Sequence, residues 1–347
     1  MSVETVTNCP MCGSTERRAL HADVPDFVFH ASDEHWAIAQ CASCESLYLS
    51  ERPDMASIGR YYDRYYTHST APDSAPISGI AVQSSWLKRL ANSWRNARYG
   101  TNRPSLGPLG AVALVVAWPL RQWVHAECRH LPPHQTGRRR PRVLDVGFGD
   151  GRFLRFAAEA GWDAQGMEID PKAVAAAQAN GLQVHQGDIS AALARFGSDS
   201  FDYITMSHVI EHVHHPHDVL AAARALLRAG GTLWVETPNP ESFGHQVFGA
   251  RWRDLDPPRH LCLSTRHALI SAAARNGLPL EAEHHRPFVP FEVFPFSAAA
   301  CGTPYRGTRG TLQCAGYELL SLLRPQRREW LTLSFKRPLS DTSAHHP

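Results

Sequence analysis

Two cysteine pairs stand near the start of the chain, Cys9-Pro10-Met11-Cys12 and Cys41-Ala42-Ser43-Cys44. Two such knuckles supply four thiolates at the spacing of a tetrahedral zinc site, and Gly13 and Glu45 follow where each turn tightens. The expected metal is a structural zinc on Cys9, Cys12, Cys41 and Cys44, with redox or unliganded thiols as the alternative. Cys128, Cys262, Cys301 and Cys314 lack a paired spacing and read as ordinary buried thiols. A second constellation, Val143-Leu144-Asp145-Val146-Gly147-Phe148-Gly149-Asp150-Gly151, is a short apolar run ending in alternate glycines. Such glycines let the backbone turn tightly against a ligand, which the amides of the following helix then face. Alone, the turn could also be a dinucleotide fingerprint, but that pattern wants glycine where this chain has Arg152. Two histidine-bearing segments follow. Ser207-His208-Val209-Ile210-Glu211-His212 has the spacing of an inverted zinc-protease motif, which needs both histidines on one long helix; here they follow a strand. His260 comes just after the proline pair Pro257-Pro258, and histidine titrates near neutrality, as suits a general base.

Spacing separates the readings of the glycine turn. Glu168 ends the next strand, placed to accept hydrogen bonds from both hydroxyls of an adenosine ribose, which NAD-binding folds also do. Those folds do not share the continuation: Gly187-Asp188-Ile189, then Phe201-Asp202, then Leu227-Arg228-Ala229-Gly230-Gly231-Thr232-Leu233. From about Arg142 to the C-terminus these motifs together resemble the class I S-adenosylmethionine-dependent methyltransferases. The resemblance implies that Gly147, Gly149 and Gly151 lie against the methionine part of the cofactor, and that Asp145 orients that loop or the cofactor's amino group. It implies Glu168 for the ribose and Asp188 for the adenine amino group, with Ile169 and Ile189 packing on the ring. Asp188 also reads as a simple turn residue. In similar families the segment from His208 to His212 borders the cofactor and acceptor cleft. The His260 loop resembles that of sugar C-methyltransferases, whose Tyr-x-Glu-His-Leu pattern is here Pro258-Arg259-His260-Leu261. Arginine in place of the glutamate counts against sugar C-methylation. Zinc knuckles followed by a tyrosine-rich stretch, here Tyr61 to Tyr66, precede the catalytic domain in similar bacterial methyltransferases of sugar and surface-glycan pathways.

These residues need a frame to hold them. Strands are predicted at residues 142–146, 164–169, 182–185, 201–206, 231–236, 280–284 and 330–336. Helices are predicted at 152–160, from the cap Asp170-Pro171 to Gly181, at 218–228 and at 265–276. That alternation is an α/β fold, a Rossmann-like seven-stranded and mostly parallel sheet with helices on both faces, preceded by a small zinc-ribbon-like module. Three regions follow: a zinc-binding module at 1–66, a helical connector at 67–141, and the catalytic domain at 142–347. The connector is expected to hold short helices at 86–99 and 112–128.

Composition narrows the partners. A net charge of +2, with 20% charged and 43% hydrophobic residues, describes a globular chain with no global field for nucleic acid. Arg138, Arg139, Arg140 and Arg142 read as a solvated junction, and His214, His215 and His217 as a solvated loop. Residues 1–10 lack the basic start and apolar run of a secretory signal, so the expected compartment is a reducing cytoplasm. The apolar stretch 109–120 is too short to span a bilayer and reads as a buried helix. The sharper alternative is peripheral membrane contact through 104–123, with Trp86, Trp94, Trp118 and Trp123 near the headgroups.

The expected reaction is methyl transfer from S-adenosylmethionine to a small-molecule, sugar or glycan-like acceptor, at oxygen, with His260 first and His208 and His212 next as proton acceptor. An RNA methyltransferase gripping its substrate through the zinc module is one rival, disfavoured by the near-neutral charge of the chain. A non-catalytic cofactor-binding protein is the other, disfavoured by the intact glycine loop with Glu168 and Asp188.

Overall fold

The computed structural model describes residues 2–62, 85–134, 139–303, 305 and 307–339. The N-terminal part holds β1 (Val3–Thr5), β2 (Arg17–Pro25), β3 (His35–Cys41), β4 (Leu47–Leu49) and β5 (Glu51–Pro53). The connector holds α1 (Ser85–Tyr99), α2 (Gly107–Val116) and α3 (Trp118–Glu127). Then come β6 (Arg142–Val146), α4 (Arg152–Glu159), β7 (Asp163–Glu168), α5 (Pro171–Ala179), β8 (Val184–Gln186), α6 (Ile189–Phe196) and β9 (Phe201–Ser207). The remainder is α7 (Pro216–Leu226), β10 (Leu227–Pro238), α8 (Phe243–Phe248), β11 (Cys262–Leu263), α9 (Arg266–Arg275), β12 (Leu280–Glu283), α10 (Pro290–Ala300), α11 (Gly307–Leu323) and β13 (Trp330–Lys336).

The central sheet has the order β12-β13-β10-β9-β6-β7-β8. β10, β9, β6, β7 and β8 run parallel, and β13 lies antiparallel between β10 and β12. Its central strands must be apolar on both faces because helices cover both. On one face Val143, Tyr203 and Trp234 pack against Phe153 and Phe156 of α4 and Leu114 and Val124 of the connector. On the other, Leu144, Ile204 and Leu233 pack against Leu220 of α7 and Ala272 of α9. This is the seven-stranded α/β architecture expected from the sequence.

The N-terminal sheet is not self-contained. Its order is β11-β4-β3-β2, so the fourth strand comes from the segment just after His260, with Cys262 opposite Tyr48 and Leu263 opposite Leu47. Trp36, Leu47, Leu49 and Tyr61 share one core with Trp252, Leu255, Leu261 and Phe294. A four-stranded sheet this small gains most of its burial from the larger domain.

Several expectations need correction. The helix expected at 112–128 is two helices, because Pro119 sits in the first turn of α3, where its missing N–H costs nothing, and a new helix starts there. α2 is not buried on all sides: only Gly110, Ala111 and Leu114 are. No described helix is long and apolar enough to cross a membrane. The histidine run is not a solvated loop, since His214 Nε2 lies 2.9 Å from the Pro53 carbonyl and His217 Nε2 2.9 Å from the Met11 carbonyl. Arg139 and Arg140 are exposed, as expected of a solvated junction, and the cluster is also paired: Arg139 with Asp202 at 2.5 Å, Arg140 with the carbonyl of Trp162, and Arg142 with Asp163. Cys128, Cys262 and Cys314 are buried but Cys301 is exposed. Arg138 and positions 63–66 of the tyrosine-rich stretch lie outside the described residues.

Candidate active site and cysteine cluster

The glycine loop is built as its composition requires. Gly147, Gly149 and Gly151 have φ of +68°, +57° and +71°, a region that Cβ-bearing residues rarely enter. A Cβ on Gly147 would lie 2.7 Å from Val209 Cγ2, so the loop packs directly against the His208 segment. A Cβ on Gly149 would meet nothing within 4 Å, so the loop opens there on free space. Glu168, at the end of β7, stitches the loop: one carboxylate oxygen accepts the Gly149 amide at 3.2 Å and the other the Ile169 amide at 2.8 Å. Burial pushes its carboxyl above the ordinary range, and the three backbone amides facing it oppose that. Ile169 beside it is 61% exposed, an apolar side chain standing at the rim of the loop.

Other members of the expected set are placed differently. Asp145 is fully buried; one oxygen is held by Arg129 and by the Thr205 hydroxyl at 2.9 Å, while the other has no hydrogen-bond partner among the described residues. Asp188 caps α6 through the Ala191 amide at 2.9 Å and is exposed at the surface. Ile189 lies in the core with Met167 and Ala192. α6 itself escaped the sequence reading, although the cap Asp188 and the alanine-rich stretch behind it were its signal.

Segments distant in sequence meet around His208–His212, whose Val209 packs on the loop. His208, at φ +53°, leaves β9 and places Nδ1 3.2 Å from Glu211 and Nε2 4.0 Å from Glu236, with its ring 4.4 Å from that of Trp330. Glu211 has no exposure, and its second oxygen accepts the Thr237 hydroxyl at 2.9 Å. The one-turn helix Ile210–His212 is fastened to the His260 loop by the Leu261 amide on the Glu211 carbonyl at 2.8 Å, and by His212 Nδ1 at 3.0 Å from the Arg259 carbonyl. The rings of His212 and His260 are 4.7 Å apart, and ligand atoms of Glu211, His212 and His260 all lie within 4.8 Å of one another. Part of that donor set is engaged: Glu211 by His208 and Thr237, His212 and His260 through their Nδ1 atoms.

The electrostatics sort the three histidines. Burial pulls His208 down, but the Glu211 hydrogen bond and the charges of Glu211 and Glu236 outweigh it and hold the imidazole above its ordinary range. Burial lowers His212 to about 4, helped by His260, and burial lowers His260 as well. Glu211 resists its own burial through the imidazoles around it and is held down to about 2. His208 therefore favours its charged form, while His212 and His260 are neutral. The Asp254 carbonyl, 2.7 Å from His260 Nδ1, can only accept, so the proton of neutral His260 sits on Nδ1 and the lone pair on Nε2.

Arg259 explains why the loop has no glutamate there. It is fully buried and doubly bidentate, to Asp26 of the N-terminal sheet at 2.7 and 2.9 Å and to Asp256 at 2.5 and 3.0 Å. Sequence reasoning named Glu211 only as part of the His208–His212 motif and did not single out Arg129, Asp26 or this role of Arg259, which carry no local signal.

The four paired cysteines converge. Cys9 and Cys44 Sγ are 3.6 Å apart, Cys12 and Cys41 Sγ 3.5 Å, and all four sulfurs lie within 4.8 Å. These spacings approach the edge of about 3.8 Å expected for a tetrahedron with metal–sulfur bonds of about 2.3 Å. Each knuckle turns at a left-handed residue, Gly13 or Glu45, whose amide bonds back to the first cysteine's carbonyl. The set could hold a metal ion. The second knuckle is tied to the catalytic domain, because the Thr265 hydroxyl that caps α9 also donates to the Cys44 carbonyl at 2.8 Å.

The family described as "Methyltransferase domain" matches residues 120–283. The ubiquinone biosynthesis O-methyltransferase of Bordetella avium is 30% identical over 191 residues, covering 53% of this chain and 73% of that protein. The enzyme of the same name from Cereibacter sphaeroides strain ATCC 17025 is 32% identical over 117 residues, 32% of this chain and 47% of that protein. A crystal structure of an S-adenosylmethionine-dependent methyltransferase from Mesorhizobium loti covers 62% of this chain and 98% of its own, at 20% identity and a TM-score of 0.44. With a relative this similar over nearly three quarters of its length, the chain belongs to the S-adenosylmethionine-dependent class I methyltransferases.

Proposed function

We propose that this methyltransferase methylates an oxygen of a small-molecule or glycan-like acceptor, with His260 as the proton acceptor. The observation that carries the reading is the cluster of Glu211, His212 and His260 in the segment whose Val209 packs on the glycine loop, with His260 Nε2 holding a lone pair. The O-methylation for which the two relatives above are named favours oxygen over carbon or nitrogen.

S-adenosylmethionine supplies an electrophilic methyl group on a sulfonium. Around it Glu168 would accept from the ribose hydroxyls, Gly147, Gly149 and Gly151 would border the methionine part, and Ile169 would cover one face of the adenine, near the exposed carboxylate of Asp188. With the cofactor bound, the acceptor oxygen would take the methyl group as its bond to sulfur breaks, and His260 Nε2 would take the acceptor's proton. Alignment does most of the catalysis, and His260 removes the one charge the acceptor gains. His208, whose imidazole Glu211 holds toward its protonated form, suits orientation rather than proton removal. Ile189, buried in the core, would buttress the adenine site from behind.

In the same reading the cysteine cluster holds one structural zinc, residues 1–66 are the module it folds, 67–141 the connector, and 142–347 the catalytic domain. A peripheral membrane contact through 104–123 belongs to it too, because apolar side chains of α2 stand in solvent.

The test is His260→Gln, which keeps shape and hydrogen bonding but cannot take a proton. Turnover on an oxygen acceptor should fall about a hundredfold to ten-thousandfold with cofactor affinity nearly unchanged. Wild-type turnover in this variant would make His260 an orienting residue and leave His212 as the base.

A further inference from the structure

Two helices put apolar side chains into water where a chain of this size could have buried them. On α2, Leu109 is 83%, Val112 62% and Val116 86% exposed, while the opposite side, Gly110, Ala111 and Leu114, packs inward. On α11, Leu312, Leu319 and Leu323 are 66%, 59% and 74% exposed. Their spacing of seven and four residues lays them in one stripe along the helix, opposite buried Gly310, Cys314 and Ser321. Trp118, at the start of α3 just beyond Val116, links the two. It is partly exposed and stacks on His285 at 5.6 Å and 2°, and His285 lies 3.3 Å from Glu318 on α11.

Charge says what covers this surface. Residues 85–127 carry Lys88, Arg89, Arg95, Arg98, Arg103 and Arg121 against one acid, Glu127. Residues 307–328 carry Arg309, Arg324, Arg327 and Arg328 against Glu318. The chain as a whole is only +2, so the rest of it is net negative; the stretches that carry the apolar helices are the net-positive ones, even with Arg103 paired to Glu159. A second copy would bring like charges together. An anionic bilayer meets both demands: its headgroups pair with the basic rim and its acyl boundary takes the leucines and valines. α2, at 10 residues, reaches about 15 Å, half of a hydrocarbon core, so it lies in the interface instead of crossing it.

Resting on the peripheral contact proposed above, we infer that α2 and α11 together form a docking surface for an anionic lipid bilayer. The full chain should co-sediment with phosphatidylglycerol-containing vesicles and not with pure phosphatidylcholine, and high salt should release it because the headgroup attraction is screened. Val112→Asp with Val116→Asp, and separately Leu319→Asp with Leu323→Asp, should each weaken vesicle binding by about tenfold or more. All four positions are exposed, so cofactor binding by calorimetry should be unchanged; that measurement reads the methyltransferase site independently of docking. Equal binding to both vesicle types, or variants that bind vesicles as the wild type does, overturns the inference. So does loss of self-association in the variants without loss of vesicle binding, which makes a second copy the occupant, and protection of these side chains by residues 63–84 does the same.

Discussion

Replacing Arg259 with methionine should be among the most damaging single changes available outside the glycine loop. Methionine keeps most of the side chain's length and its contact with Phe29, whose ring centroid lies 4.4 Å from the guanidinium. It removes the charge that sits between Asp26 and Asp256, both almost fully buried. Removing one partner from a buried ion pair typically costs about 3–5 kcal/mol, because the remaining charge is left without compensation. Here two carboxylates are stranded, but the costs do not simply add. Burial already pushes Asp256 upward, so in the variant it takes a proton and relieves part of the repulsion. Urea unfolding at neutral pH should therefore show a loss of about 3–5 kcal/mol. Adding Asp26→Asn should recover part of it. Turnover should fall as well, since His260 follows Arg259 directly and the clamp places it, while cofactor affinity should hold. A loss below about 1 kcal/mol, the size of an exposed pair, would refute the argument that this network anchors the loop.

Glu168→Ala should weaken S-adenosylmethionine binding by about 2–4 kcal/mol in calorimetry, by removing a charged acceptor and the stitch on the Gly149 amide; equal affinities would sink the ribose assignment. Protein purified without chelators should carry one zinc per chain by elemental analysis, and metal removal should lower the unfolding midpoint sharply; a metal-free but equally stable protein would refute it. Glu329 is buried and pushed up to about 8, so it stabilises the fold fully below about 4.5 and loses that contribution as pH rises through about 8. The full shift corresponds to roughly 5 kcal/mol at most, and Glu329→Gln should flatten this fall in stability between pH 5 and 9; parallel curves for the two proteins would contradict it.

The catalytic frame was legible because its signals are local. β6 and β13 begin and end where the apolar runs do, and Asp170 and Thr265 cap α5 and α9 as their positions in the chain suggest. The glycine loop follows the same logic, since positive φ at three alternate positions leaves few other residues possible. What surrounds that frame was decided elsewhere. Nothing near Cys262 announces that it pairs with Tyr48 in another sheet, nor near Arg259 that it clamps Asp26, 233 residues away. His214 and His217 look like solvated polar residues until the N-terminal sheet brings them backbone carbonyls to bind. α2 erred the other way: its residues have the composition of a core, but the space beside it is filled only along Gly110, Ala111 and Leu114. Local sequence determines backbone conformation because caps, glycines and apolar period act over a few residues. Which side chains meet, and which apolar faces stay open, depends on contacts between segments far apart in the chain, and only the packed structure decides those.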